Sequence, residues 1–550
     1  MKLFNKSFLN NIHFCIIILL ALFQIKSLPQ NSESSFFRFN GSLNLSSELY
    51  STNATQKRLP SNQQRFILRT NFTLFNQIEI PFELYLSNSD SRFLQPFNQF
   101  GVSPKITDWL KFHGGYFYTE ISDFSFGDIR LYGGGVELTP GNFRLKAFYG
   151  RSISAKEPDS LNFFGGFYSQ KTYAFSIGYG NEDVAFLNLN LMRSIDDSNS
   201  IKPISITQSP TENLVSSAAF GLRIIKPLFI SGEIALSAFS SDIRSENIDD
   251  IKFPKFLFTP KLSTQIDGAA KLGININPES FWSLRLGTRW IGPGFVTNGY
   301  TQLQNDLIEI TIDPSLRLIE NRLNLRSSIG IRSNNVRNNR VSKINRFLGL
   351  FSADYQITDL FGMNIQYNNN QIKSTRYADS MKISNVLNFI SITPRFIFKA
   401  FNANNFLSLS YSNQNSEDTN PYYRSKVTNK TTTINFSHNI VFPTSLIFIT
   451  NLMYSKVSVW NLDVRILSLN ETIGYQFFNN KLSTFLSLGY SSTKAVKTSG
   501  MMLIGLRATY NLGRFGNISF NLSNNNFNSD DPISQKYNEL QGNLQYLINF

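Results

Sequence analysis

The sequence of 550 residues contains one cysteine, three histidines and only 16% charged residues. Each shortage excludes something. Cys15 alone can build neither a disulfide framework nor a cysteine-ligated metal centre. Beyond the N-terminus no apolar run reaches the roughly 18–20 residues of a transmembrane helix, which excludes a polytopic helical membrane protein. Low charge beside 14% aromatic residues also argues against a disordered chain. What is plentiful is aromatic, β-branched and small polar residues, the composition of a large β-rich protein, soluble or membrane-embedded.

The two ends carry the location signals. Residues 1–27 read as a secretory signal peptide: Lys2 and Lys6 form a basic n-region, Phe14 to Phe23 an apolar h-region, and Ser27 a small residue before cleavage. Cys15 lies inside the h-region without a lipobox-like context, so a lipoprotein is not expected. Residues 28–550 then form one domain. In its last segment Leu540, Leu544, Tyr546, Ile548 and Phe550 share one face at period two, against Gln541, Asn543, Gln545 and Asn549. A final alternating strand that stops on Phe resembles the C-terminal strand of bacterial outer-membrane barrels. That resemblance implies that Tyr546, Ile548 and Phe550 form the signal for the barrel-assembly machinery.

The same period recurs along the chain. Phe143, Leu145, Ala147 and Tyr149 oppose Arg144 and Lys146, and Leu323, Leu325, Ile329 and Ile331 oppose Arg322, Arg326 and Arg332. Alternation alone does not separate a sandwich, with its apolar face inward, from a membrane barrel, with its apolar face outward. The connections do. Tight turns at Phe75-Asn76-Gln77, Pro140-Gly141-Asn142, Lys226-Pro227, Glu320-Asn321-Arg322, Phe401-Asn402-Ala403 and Asn479-Asn480-Lys481 alternate with long polar connections such as 88–99, 194–212, 241–261, 292–304, 371–382 and 413–426. That is the pattern of an up-and-down transmembrane antiparallel β-barrel with short periplasmic turns and longer extracellular loops. Counting segments predicts an all-β barrel of about 26 strands, within a range of 22–28, with both termini in the periplasm. The stretch between Ser27 and a first strand at residue 35 is too short for an N-terminal plug domain.

Two stretches carry a further resemblance. One runs from Gln95-Pro-Phe-Asn-Gln-Phe-Gly-Val-Ser-Pro-Lys105 through Leu110-Lys-Phe-His-Gly-Gly-Tyr116 to Gly133-Gly-Gly-Val-Glu-Leu-Thr-Pro-Gly-Asn-Phe-Arg144. The other joins Gly292-Pro-Gly-Phe-Val-Thr-Asn-Gly-Tyr300, Gln304-Asn-Asp-Leu-Ile-Glu-Ile-Thr311 and Arg322-Leu-Asn-Leu325. Together they resemble large outer-membrane β-barrel proteins of Bacteroidetes-type bacteria. The resemblance implies location and fold, and no catalytic residue.

Width then constrains function. Barrels of 16–18 strands leave an aqueous channel and those of about 22 tend to be plugged, so a still wider one calls for partial occlusion, by loops or by a separate plug or secretion partner. Loops 241–261 and 194–212 are the long candidates. The first carries Phe253, Phe256, Leu257 and Phe258, which fit either a folded-in loop or a strand end reaching the headgroups. Strand parity places Arg223, Lys271, Arg285, Arg289, Arg322, Arg326, Arg332, Arg346 and Arg507 in the lumen, with Glu137, Glu233, Glu309 and Asp354. This basic excess admits two readings: arginines bracing the wall against facing carboxylates, or a pore lining that weakly favours anions. Nucleic-acid binding is not expected, since no motif for it appears and the signal peptide removes the chain from the cytoplasm.

Catalysis finds little support. Outside the signal peptide the histidines are His113 and His438. No nucleophile elbow accompanies them, and two distant histidines make no metal site without further ligands. Pairs such as Asp196-Asp197, Asp249-Asp250 and Asp530-Asp531 fall in loops. The expected function is therefore a channel, or the barrel component of a transport or secretion complex, held in outer-membrane lipid and without cofactors. The alternative is a docking barrel with a closed lumen whose loops bind a partner.

Overall fold

The computed structural model describes residues 36–75, 77–88, 99–127, 129–158, 166–202, 208–248, 254, 256–278, 281–300, 302–375, 382–420, 428–460, 462–532 and 534–550. The expected signal peptide and Phe253 lie outside them.

Strands pair antiparallel with their sequence neighbours all along the chain, from Phe37–Thr52 to Tyr537–Asn549. Of the 27 runs, Gln99–Val102 and Lys105–Thr107 are two halves of one strand, both pairing with Ile78–Ser87 and with Leu110–Tyr118. Pro104, which has no N–H to give, interrupts them. The sheet is therefore a closed up-and-down barrel of 26 strands. Closure comes from the pairing of Phe37–Thr52 with Tyr537–Asn549, in which Leu43 faces Ile548 and Leu45 faces Tyr546. Gly41 and Phe550 exchange both backbone hydrogen bonds, at 2.8 and 3.0 Å, and Phe39 stacks on Phe550 at 4.8 Å. Leu43, Phe66, Leu68 and Ile548 form an outward-facing apolar cluster over this seam.

Period-two patterning assigns the two faces. Along Ser169–Asn181, Gln170, Thr172, Ala174 and Ser176 are buried towards the lumen, while Tyr173, Phe175, Ile177 and Tyr179 stand exposed on the outside. A soluble sandwich would reverse that arrangement. An apolar outer band with aromatic residues at its margins is what lipid demands of a barrel.

Short turns occupy one end. Phe75, Gly141, Asn321, Asn402, Asn479 and Asn480 all have φ between 53° and 68°, the left-handed conformation that Gly and Asn tolerate best. All the tight turns expected from sequence lie at this end. The turn at Asp108 and Trp109, hidden behind the broken strand, joins them. The opposite end holds the long connections, except for brief links at Trp460 and at 495–497. Strands run further into those connections than their polarity suggests, to Asp197, Thr375 and Asp418.

Deleting Phe550 removes two closing hydrogen bonds and one ring stack. The truncated chain should show a reduced heat-modifiable, fast-migrating fraction on unheated gels; a fraction equal to wild type would mean that the seam closes without it.

Candidate functional site

Part of the lumen is filled. Each of ten successive strands offers an inward apolar residue at a closely matched height. In strand order these are Phe117, Leu131, Phe148, Ala174, Met192, Val215, Ala235, Ala269, Ile291 and Leu307. The register joins Phe148–Ala174–Met192–Val215 and Ala235–Ala269–Ile291–Leu307 as direct cross-strand neighbours. An apolar belt facing water would be costly, and two connections cover it. Segment 119–129 inserts Phe124 and Phe126, segment 292–306 inserts Phe295, and all three rings are essentially fully buried.

Polar contacts lock the two segments to each other and to the wall. Gly127 N–H donates to Gly299 O at 3.3 Å, and Thr297 Oγ1 to Ser125 O at 2.9 Å. On the wall, Asn213 receives the Asn298 N–H at 2.9 Å and donates to Val296 O at 3.0 Å, while Asn298 Nδ2 reaches Ser194 Oγ at 2.7 Å. Glycine is required at two points. A Cβ on Gly299 would stand 2.0 Å from Ser125 O, and one on Gly292 would stand 2.2 Å from the Asp267 carboxylate. The half-buried Gly292-Pro-Gly motif is thus the hinge by which this loop turns into the barrel. A third connection caps the second: Arg337 pairs with Asp267 at 2.6 Å and Arg340 with Asp306 at 3.2 Å.

Beside the belt runs a charged row. Glu233, Lys271, Arg289, Glu309, Arg332 and Arg346 are direct cross-strand neighbours on six consecutive strands. Glu309 holds Arg289 at 2.8 Å and Arg332 at 2.6 Å. Lys271 lies 3.6 Å from the wholly buried Glu233 and pairs with Asp123 of the first inserted segment, so one ammonium ties that segment to the wall. Arg346 has no ion-pair or hydrogen-bond partner among the described residues.

The other side chains expected in the lumen are dispersed. Arg223 sits at the short-turn end and donates to the carbonyls of Asp183 and Lys226. Arg285 reaches Asn275, Arg507 reaches Asn521, and Asp354 binds Arg395 at 2.9 Å. Arg326 faces the lumen from Leu323–Ser333. Arg322 lies in a turn, 3.7 Å from Asp359, and not on a lumen strand. The occluding loops also differ from expectation. In connection 241–261, Phe258 packs outside the wall on Leu214 and Ala238, and the Phe256 carbonyl accepts from Arg193. These residues therefore serve the outer surface, and Phe253 lies outside the described residues. Residues 194–197 belong to a strand. The inserted segment 119–129 escaped notice because Phe124, Ser125 and Phe126 alternate as a strand does.

His113 lies between Ser103 and Glu137, its Nδ1 2.9 Å from Ser103 Oγ and its Nε2 2.6 Å from Glu137 Oε1. A lumen crevice of about 780 Å³ adjoins them. The group has the members of a hydrolytic triad but not its oxyanion donors. Ser103 N–H is committed to Pro81 O, and the next residue is Pro104, which has no N–H. His438 lies on the outer face against Asn405, far from these residues in the register.

No family profile matches this chain, and no curated protein matches it in sequence. Among solved structures it is similar to the translocation pore of the P pilus usher, at 10% identity and TM-score 0.36 over 93% of this chain and 99% of that one. A pilus tip assembly intermediate matches at 10% identity and TM-score 0.48, over 94% and 62%. The FrpB iron transporter from Neisseria meningitidis matches at 11% and 0.38, over 95% and 82%. At these values the likeness assigns no activity to this chain, whose architecture stands on its own strand register.

Replacing Gly299 by Val drives a side chain into the Ser125 carbonyl and should dislodge the inserted pair. The expected result is an intact barrel in which the 119–129 segment becomes cleavable by added protease; unchanged protection would show that the loops do not depend on this contact.

Proposed function

We propose that the protein is an outer-membrane channel, narrowed from within by its own loops and weakly favouring anions. The observation that carries this reading is the lumen itself: an apolar belt sealed by segments 119–129 and 292–306, flanked by a row of four cations and two carboxylates. The exposed apolar outer band and the resemblance to large Bacteroidetes-type barrels support the location. On this reading the short turns and both termini are periplasmic, the C-terminal strand is read by the assembly machinery, and residues 1–27 are removed. The strands beyond the inserted loops present Asn364, Gln366, Ser391, Thr393 and Asn435 inward, a hydrated wall beside the filled part. Most of the row is internally braced, so Arg346, which has no ion-pair partner among the described residues, supplies the anion preference. No catalytic role is assigned to Ser103, His113 and Glu137, which brace the wall.

The closed docking barrel is the second reading, and one estimate favours it. Burying a Phe side chain is worth roughly 1.5–3 kcal/mol, so exposing three of them costs about 5–9 kcal/mol. The loops do not withdraw spontaneously at useful frequency. A larger passage requires a partner or solute that binds the withdrawn state more tightly by a similar amount.

Planar-bilayer recording under a salt gradient separates the readings. A channel gives stable steps with an anion-biased reversal potential, larger steps when 121–127 are replaced by a short Gly-Ser linker, and a shift towards cations for Arg346→Gln. Silence of the correctly inserted wild type, with conduction by the loop-replaced form, favours the docking barrel.

A further inference from the structure

The outer wall carries a group of cations that the channel does not use. On four successive strands at the long-loop end, Arg130, Arg151, Lys171 and Arg193 all occupy outward positions. Arg151 and Lys171 are direct cross-strand partners. Two like charges so placed repel each other. Neither has an ion pair among the described residues. Arg193 pairs with Glu212 at 2.7 Å.

Tyrosines interleave with these cations. Tyr149 and Tyr173, the next pair inward from Arg151 and Lys171, meet at 4.7 Å, and the Arg151 guanidinium lies 5.4 Å from the centre of the Tyr132 ring. All three tyrosines are exposed, as are Arg151 and Lys171. Below them Phe175, Ile177 and Leu145 continue the apolar band towards Tyr179 near the short-turn end. Tyrosine marks the membrane–water boundary of a barrel. Arg151 and Lys171 therefore stand one residue pair above the acyl region, at headgroup height, and Arg193 stands level with Tyr173. A guanidinium and an ammonium side by side there, with tyrosine hydroxyls beside them, match a phosphate oxyanion carried on an acylated headgroup. The apolar band below supplies the surface for its chains.

We propose that Arg130, Arg151, Lys171 and Arg193, with Tyr149 and Tyr173, form a binding site for a phosphorylated glycolipid of the outer leaflet. This rests on the outer-membrane reading. The bound phosphate offsets the repulsion between Arg151 and Lys171 and fixes the barrel's height in the bilayer. A second outward row, Lys456, Arg465 and Lys494, repeats the cross-strand placement further round the wall, with Asp463 against Lys456.

The test uses the full barrel in nanodiscs doped with lipid A, or with lipid A stripped of its phosphates, and counts lipid retained after exchange into neutral lipid by native mass spectrometry. Wild type should retain the phosphorylated form about tenfold better than Arg151→Gln with Lys171→Gln, and better than the stripped form. Equal retention by wild type and variant, or of both lipids, overturns the site. Displacement by millimolar inorganic phosphate alone would make it a free-anion site and overturn the lipid assignment. Heat-modifiability of each sample is read in parallel. Protein that never inserts into any bilayer defeats the membrane reading itself, whereas inserted protein without selective retention defeats only this site.

Discussion

A backbone surrounded by hydrocarbon has no water to satisfy its N–H and C=O groups, so every strand must have two neighbours. That constraint governs the rest of the molecule. It requires the first strand to find the last, bringing together residues as distant as Tyr50 and Glu539, 489 positions apart and joined by a 2.7 Å hydrogen bond. It also turns the usual pattern of a sheet inside out. With the apolar side chains committed to the exterior, the interior is left to Asn, Ser, Thr and charged residues, which would enclose a wide body of water.

The inserted loops answer that problem over ten of the 26 strands. There the wall departs from its own rule and offers apolar residues inward, and Phe124, Phe126 and Phe295 cover them as the core of a small soluble protein would. Charge is handled in the same economical way, with Glu309 shared by two arginines and Lys271 by two carboxylates. Bracing and pore chemistry are thus parts of one arrangement, and Arg346 at its end is where the bracing stops.

The barrel was legible in the sequence because its signals are local. Alternation needs only a strand, and a turn such as Glu320-Asn321-Arg322 needs only its own left-handed residues. The interior was less so. The Gly292-Pro-Gly-Phe-Val-Thr-Asn-Gly-Tyr300 stretch stood out as a motif, yet glycine and proline in a connection read as a solvent turn. Only the register reveals that Gly299 must pass against Ser125. Likewise the charges from Glu233 to Arg346 were each placed inward by parity, but their alignment as one row depends on the stagger between strands. The outward fate of Phe258 was hidden for a related reason, since an apolar loop residue can cover either face of a wall that is apolar on one side and patched with apolar residues on the other.

The belt and its covering rings all lie between Phe117 and Leu307, whereas the seam waits for Phe550. The filling of this barrel is therefore complete in a part of the chain that needs neither terminus. Contacts within that stretch close shorter loops than the seam does and carry a smaller entropic cost. The interior can gather while the sheet is still an open arc, and a loaded arc is already curved. Closure then means bringing two edges together around contents that are in place, and the loops never have to be threaded into a finished ring.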